Sequence, residues 1–555
     1  MIYPVRTIAE LEDAATACPE NAAASASLAV ALRRLERHEE SLLSSKRAVT
    51  LAPGNTSYRM LEAEALGALG RHGEAARTLE EGLALAPACA NICVSLATIY
   101  LRELGRVADS ETLYLRAIQL CPDELDAYVG LCRSNVESRS APEAAARVLS
   151  LVGEAPGLSL VYSALGDVLR ENGRYFEAQS YWLKALQRSP GDPTALRGLG
   201  YVEIVCGQQE RATGYFERAF SKSPGVTTFI SYLLHLLRIG ELSRAQSLLR
   251  DPMRLRLVQG QLASACVAPE WDGSDLRGKT IFVEIPGGFG DGVMFSRFGE
   301  LFKQRGARVV IECHERLLEL LRSVPGIDEV VPPYSNCSLV DVRCRADVAC
   351  LLLDWTWEDM AAGDCYLQLP QRPSTRLRDF PVSNADLCVG INWRGKSLWA
   401  GDPFRFRSAP LDSFKPLCEM PGVRTFALQQ GSGREEISDR VDAFPLTDLG
   451  GAPDFIETAA VIRAMDLIIT VDTVVAHLAG ALGKKCWLIL PRLSDWRWGT
   501  HPTQTPFYRT IKLYRQMDAG NWSEVFSRMA ADLKQLVNET ATPPSTPHRN
   551  VQWFT

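Results

Sequence analysis

Two patterns of apolar residues divide the 555-residue chain. Up to about residue 250, small and apolar residues recur in units of fixed length; after about residue 278 they come in short continuous runs separated by glycine and polar turns. In the first part, prolines fall at 19, 53, 87, 122, 156, 190 and 224, spaced by 34, 34, 35, 34, 34 and 34 residues. Small residues stand in each unit where two helices must cross closely, and an aromatic fills the next layer. One unit carries Tyr162, Leu165, Gly166, Ala178, Trp182, Ala185 and Pro190; the next carries Leu199, Gly200, Ala212, Phe216, Ala219 and Pro224. A period of this kind predicts stacked helix pairs, because one pair cannot bury its apolar face without a neighbour. Gly70, Gly105, Gly173 and Gly207 supply the turn within pairs.

The pattern resembles the tetratricopeptide repeat, a helix-turn-helix unit, over about residues 1–250. That resemblance implies an α-helical solenoid whose concave groove holds a partner protein or an extended segment of one; a rigid spacer or dimerisation arm is the plainer alternative. No asparagine recurs at one helix position, so an asparagine ladder clamping a bound backbone is not expected. Residues 251–277 break the period and read as a joint.

In the second part, residues 279–313 read as strand ("KTIFVEI"), glycine loop ("PGGFGDG"), amphipathic helix ("VMFSRFGELFKQRG") and strand ("ARVVIEC"), a βαβ unit that implies a parallel sheet. The glycines Gly287, Gly288 and Gly290 suggest a dinucleotide loop only weakly, and Glu312, placed where a ribose-binding acid would stand, is explained as well by a solvated strand end. A second lobe begins near 386 with strands "LCVGINW", "VRTFALQ", "DLIITV" and "CWLILP". The predicted lobes span 278–385 and 386–540, with a mobile proline- and threonine-rich tail at 541–555. Two such lobes imply a cleft, lined by strand carboxyl ends that carry Gly287 to Asp291, Trp393 to Lys396, Gln429 to Gly431 and Asp472 to His477.

The run "TVDTVVAHLAGALGKKCWLILP" carries an aspartate and a histidine that a buried helix does not need. Asp472 is expected to cap a helix opening at Thr473 and ending at Gly483, with Thr473 and His477 on one face of its first turns. Such an end is a seat for a phosphate, and Ala476, Ala479 and Gly480 allow close approach. A capping aspartate and a satisfied core histidine are the plain alternative; convergence with the other strand ends favours a ligand site.

With "GGFGDGVMFSRF", "VGINWRGK", "RFRSAPL", "FALQQG" and "VDTVVAHLAGALGKKCWLILP…DWRWG…PFY…KLYRQ" in that order, the chain resembles heptosyltransferase-like glycosyltransferases of the GT-B fold (two Rossmann-like lobes with a cleft), and most closely bacterial proteins in which tetratricopeptide repeats precede that fold. The resemblance implies a nucleotide-sugar-dependent glycosyltransferase, with the acceptor on the first lobe and the donor on the second. It implies donor contacts from Asp472, Thr473 and His477, the base at Asp291, and a phosphate-facing cation at Arg394 or Lys396; Gln429 joins the donor set from its strand end. Arg407 matches a family arginine of unfixed role, and "SLWAGDPFRF" is longer and more aromatic than the family pattern, so the donor is open. Some members of the group are implicated in glycosylating flagellin, which makes it a candidate acceptor. An expected cytoplasmic protein O-glycosyltransferase stands against two alternatives: a glycolipid or polysaccharide acceptor, and a non-catalytic repeat scaffold with a degenerate transferase domain.

Composition narrows the partners. A net charge of -6 implies no general attraction to nucleic acid or anionic lipid. Fifteen cysteines without paired spacing fit reduced thiols in a cytosol, and no apolar run reaches membrane-spanning length. No metal is expected, since no carboxylate pair stands at a strand end; Asp272 and Asp275 read as solvated joint residues. No cofactor is expected beyond the nucleotide sugar as substrate.

Overall fold

The computed structural model describes residues 8–541 except 36, 137–138, 153–157, 260–265, 267, 286, 334, 336–338, 358, 360–364, 370–385, 396–406, 439–444, 452–453 and 519. Lys396, the loop at 397–406 and all of the tail but its first residue lie outside the described residues. Two compact units divide the chain, the first essentially Met1–Tyr232 and the second essentially Leu233 onward.

The first unit is the expected helical solenoid. Paired helices such as Leu158–Glu171 with Tyr175–Arg188, and Pro193–Val205 with Gln209–Lys222, repeat along it. Gly70, Gly105, Gly173 and Gly207 turn the chain at φ of 73°, 64°, 74° and 78°, the left-handed region that a side chain disfavours. The small residues let a large ring lie flat on backbone. A Cβ added at Gly166 would stand 2.4 Å from Trp182 Nε1, and one at Gly198 would stand 2.2 Å from Trp182 Cε2. Trp182 is fully buried, so its indole spans two successive repeats and has nowhere to withdraw. Gly198→Ala is therefore expected to destabilise the solenoid by about 1–3 kcal/mol through overpacking. Urea unfolding followed by tryptophan fluorescence checks this; an unchanged midpoint would mean that the ring can shift.

The second unit holds two parallel sheets. The first has β1 (Thr280–Glu284), β2 (Arg308–Glu312), β3 (Glu329–Val331) and β4 (Val342–Arg345) in the order β3-β2-β1-β4. The second has β5 (Leu387–Asn392), β6 (Val423–Ala427), β7 (Leu446–Asp448), β8 (Leu467–Val471), β9 (Cys486–Leu490) and β10 (Ile511–Arg515) in the order β10-β9-β8-β5-β6-β7. Every strand pairing in both is parallel. Runs such as "LIITV" and "CWLIL" are buried at every position, as parallel strands covered on both faces require. The closing helix, Ser523–Ala541, packs Val525, Phe526, Met529 and Leu533 into the second lobe's core.

Strand order locates the crevices. In the first sheet the chain leaves β1 for β2 and β3, then returns to pair β4 on the other side of β1. In the second it leaves β5 for β6 and β7, then returns to β8. Each sheet thus reverses at one point, and open parallel sheets commonly bind ligands beside the strand ends that flank such a reversal. The β1 and β4 ends lead to Gly287–Asp291 and to Asp347; the β5 and β8 ends lead to Trp393–Arg394 and to Asp472–Thr473.

The expected boundaries shift. Helices Leu242–Leu249 and Pro252–Gln259, assigned by periodicity to the solenoid and the joint, fall in the second unit. Gln246 Nε2 donates to the Trp355 carbonyl at 3.1 Å, Trp357 Nε1 donates to the Gly240 carbonyl at 3.2 Å, and Arg238 donates to the Ser494 carbonyl. The end of the joint belongs to the first sheet, where Glu270 bridges β4 at Arg343 and buried Trp271 donates its backbone N–H to the Arg343 carbonyl. Asp272 and Asp275 are exposed, as expected. The helix expected after the glycine loop is broken into Phe289–Ser296 and Gly299–Gln304.

Candidate functional site

The helix Phe289–Ser296 starts inside what the sequence reads as loop, and this relocates Asp291. It stands in the first helical turn rather than on a glycine loop, and its Oδ2 accepts the Gly288 N–H at 3.1 Å, satisfying an amide that a helix start leaves unpaired. Gly287, at φ 114°, makes the turn from β1, and a Cβ there would lie 2.1 Å from Asp291 Oδ2. A second correction applies in the second lobe. Thr473, not Asp472, caps the helix Val474–Ala481, with φ of -145° and Oγ1 accepting the Val475 N–H at 3.3 Å. Asp472 is freed from capping and sits one residue earlier, buried at the β8 end.

The two helices meet. A Cβ added at Gly290 would lie 2.8 Å from His477 Cδ2, so the His477 imidazole rests on the glycine backbone of the first lobe. That imidazole is 4% exposed, stacks on Trp498 at 5.2 Å, and shares a 3.1 Å hydrogen bond between Nδ1 and the Tyr508 hydroxyl. Arg297 reinforces the junction by donating to the Phe507 carbonyl at 2.8 Å while lying over the Tyr508 ring.

Charges alternate around this junction. Arg497, in the turn Trp496–Trp498 after β9, donates through Nη2 to Asp291 Oδ1 at 2.5 Å and through Nη1 to Asp495 Oδ1 at 2.8 Å. Burial pushes the Asp291 carboxyl up; Arg497 opposes that shift, and Asp495 and Asp347 add to it. Burial and the neighbouring Asp495 also push Asp472 up, against Arg407. Arg407 lies on the backbone after β5, where a Cβ at Gly395 would meet its Nε at 2.7 Å.

Burial, with Arg497, Arg297 and Arg407 nearby, holds His477 down at about 3. His477 is therefore a neutral ring at physiological pH, whereas in the unfolded chain it titrates near the ordinary 6.5. The unfolded state alone takes up its proton as pH falls below 6.5, so this contribution to stability is complete above that value and is lost progressively towards 3. Between pH 7 and pH 5 the unit is expected to lose about 2 kcal/mol more in the wild type than in His477→Gln. Urea titrations at the two pH values measure the difference, and equal losses would place a charged imidazole in the folded state.

Gln429 plays a different part from the expected one. Its Oε1 accepts from Asn392 Nδ2 at 2.9 Å, Trp393 N at 3.1 Å and Arg394 N at 3.0 Å, while its Nε2 donates to the carbonyls of Arg394, Gln430 and Ser432. A carboxamide engaged to this extent has little left for a ligand; it fixes the turn that carries Arg394. Asn392, which the sequence reading passed over, accepts through Oδ1 from Thr470 and Thr473 at 3.0 and 2.9 Å, so one buried network ties the ends of β5, β6 and β8 together. Arg394 points to the surface, pairs with Glu436 at 2.6 Å, and lines a cavity of about 310 Å³ with Ser408, Asp412 and Trp522.

The structure thus brings Asp291, Asp472, Thr473 and His477 to one junction and sets Arg394 on the other side of the β5–β8 reversal. Arg497 and Asp495 were missed as site residues, although "DWRWG" was visible as a motif; nothing in the spacing indicates that residue 497 meets residue 291. No group of His, Cys, Asp and Glu among the described residues is arranged to hold a metal ion.

The family model described as Tetratricopeptide repeat matches residues 60–124 and 163–226. Protein FlbA of Caulobacter vibrioides is 23% identical over 463 residues, covering 75% of this chain and 74% of that protein. Among solved structures, a glycosyl transferase family 9 protein of Veillonella parvula is 13% identical with a TM-score of 0.38, covering 48% of this chain and 99% of its own. The ADP-heptose lps heptosyltransferase II of E. coli is 14% identical with a TM-score of 0.36, covering 47% of this chain and 99% of its own. No helix among the described residues is long and apolar enough to cross a membrane.

Proposed function

We propose that the chain is a cytoplasmic protein O-glycosyltransferase, in which the repeats recruit a protein acceptor and the two-lobed unit transfers a sugar to its serine or threonine from a nucleotide sugar. The observation that carries this reading is the meeting of two sheet-reversal points, one presenting the Asp291 carboxylate and the other the capped N-terminus of Val474–Ala481. In the proposed reaction, the acceptor hydroxyl oxygen bonds to the anomeric carbon while that carbon's bond to the phosphate oxygen breaks. The hydroxyl proton passes to Asp291 as general base. The departing nucleoside diphosphate carries the negative charge, met by amide N–H groups at the helix start and by a cation from the segment after β5, Lys396 or an Arg394 released from Glu436. As written, the reaction calls on no metal ion. Tetratricopeptide solenoids commonly present a groove to another protein, which supports a protein acceptor, with flagellin as the candidate raised by the family resemblance. Intact-mass measurement of candidate acceptors co-expressed with the wild-type chain or with Asp291→Ala tests the reading. A mass increase of one sugar residue that depends on Asp291 is expected; no increase on any protein, with nucleotide sugars still bound, would turn the assignment to a non-protein acceptor.

A further inference from the structure

We propose that Arg497 is a positioning residue for Asp291, gripping its carboxylate from the opposite lobe and fixing the oxygen that can receive a proton. Its catalytic consequence rests on the transferase reading above; its geometry does not. Both Asp291 oxygens are held, Oδ2 by the Gly288 N–H at 3.1 Å and Oδ1 by Arg497 Nη2 at 2.5 Å. Two oxygens held from two directions leave a carboxylate little freedom to rotate, and the contact is made between segments 206 residues apart.

Arg497 is itself held. Its other terminal nitrogen donates to Asp495, and its guanidinium lies 5.5 Å from the Phe295 ring and 5.0 Å from the Trp496 ring. Arg515 secures the turn by donating to Ser494 Oγ and to the carbonyls of Trp498, Gly499 and His501, and Arg238 donates to the Ser494 carbonyl. Four hydrogen bonds from one arginine to one turn anchor a rigid mount. An exposed ion pair contributes little, but these side chains are only 17% and 22% exposed.

The groups facing Asp291 explain why a cation is needed. Asp495 comes from the turn after β9 and Asp347 from the segment after β4, and both disfavour a second negative charge. His477, from the helix Val474–Ala481, is neutral. Arg497 is the positive group opposing burial at Asp291, and without it the carboxyl would hold its proton to higher pH. A lysine could restore the charge but not the two-armed bridge, because only guanidinium offers a planar fork.

The test uses the full chain with aspartate 13C-labelled at the side-chain carboxyl, the Asp291 signal being identified by its loss in Asp291→Asn. Arg497→Gln is expected to raise the Asp291 titration midpoint by about 1 pH unit or more, and Arg497→Lys to restore most of that shift. In turnover, the acid limb of kcat/KM should move up with the midpoint in Arg497→Gln. Arg497→Lys should keep the wild-type limb but lose about tenfold or more at the plateau. In the Asp291→Asn background, Arg497→Gln should add little further loss, since groups acting as a unit are not additive. A midpoint unchanged in both variants, or full multiplication of the two losses, would overturn the proposal. If Arg497→Gln does not fold, the lysine variant decides, because wild-type plateau turnover in it sinks the bridge. The midpoint needs no turnover: a shifted midpoint in a chain that glycosylates nothing removes the transferase reading and leaves the ion pair, while active transfer with an unmoved midpoint does the reverse.

Discussion

With Asp291 as the proposed base, Asp291→Asn is expected to slow the proposed sugar transfer by ~10²-fold or more while donor affinity stays within a few-fold. Asparagine keeps the shape of the side chain and can still accept the Gly288 N–H, so the start of Phe289–Ser296 should survive. It cannot take a proton from an acceptor hydroxyl, and it gives Arg497 a neutral partner in place of an anion. The second effect costs stability, about 1–3 kcal/mol for weakening a partly buried charged contact, and has to be separated from the first. Turnover measured well below the melting temperature, with donor titrated by calorimetry in parallel, makes that separation. Turnover within a few-fold of wild type would make Asp291 a helix-start residue only, and Asp472 or Asp495 would become the acids to examine next.

A chain beginning at Asp251 is expected to lose the fold of the second unit, whereas one beginning at Gly225 should keep it. The periodicity alone would place the cut at 251, because the repeats run to about 250. The second unit instead begins at Leu233 and includes Leu242–Leu249, whose Leu242, Ala245 and Leu249 are buried. Removing these elements also strips the Trp355 carbonyl of its Gln246 partner, the Trp357 indole of the Gly240 carbonyl, and the Ser494 carbonyl of Arg238. Loss of several buried apolar side chains amounts to on the order of 5 kcal/mol, which rivals the whole stability of many domains. Size-exclusion chromatography and thermal melts of the two chains give the answer. A cooperative melt of the 251 chain at the temperature of the 225 chain would show these helices to be dispensable. If both are folded, comparing their modification of full-length acceptor with that of the whole chain then tests recruitment by effective concentration.

What the sequence determined by itself was whatever depends on near neighbours. The proline period and small residues called for paired helices because glycine at 166 and 198 is the residue against which Trp182 can lie. The runs at 467–471 and 486–490 called for buried parallel strands because they are apolar almost throughout, with no charged residue and no alternation of apolar and polar positions. The polar residues of the 470–491 run were legible as out of place for the same reason. Tertiary structure decided the rest. Whether Asp472 or Thr473 caps the helix turned on a single residue's φ, which local composition leaves open since both types cap well. Gln429 became a brace of the turn after β5 because β6 lies beside β5, bringing the Trp393 and Arg394 amides to its carboxamide. Arg497 met Asp291 only because the two sheets turn their reversal points towards each other. Periodicity records which face of an element is buried; which charge stands opposite, from a turn two hundred residues away, is fixed by the order in which strands enter a sheet and by how one lobe packs on the other.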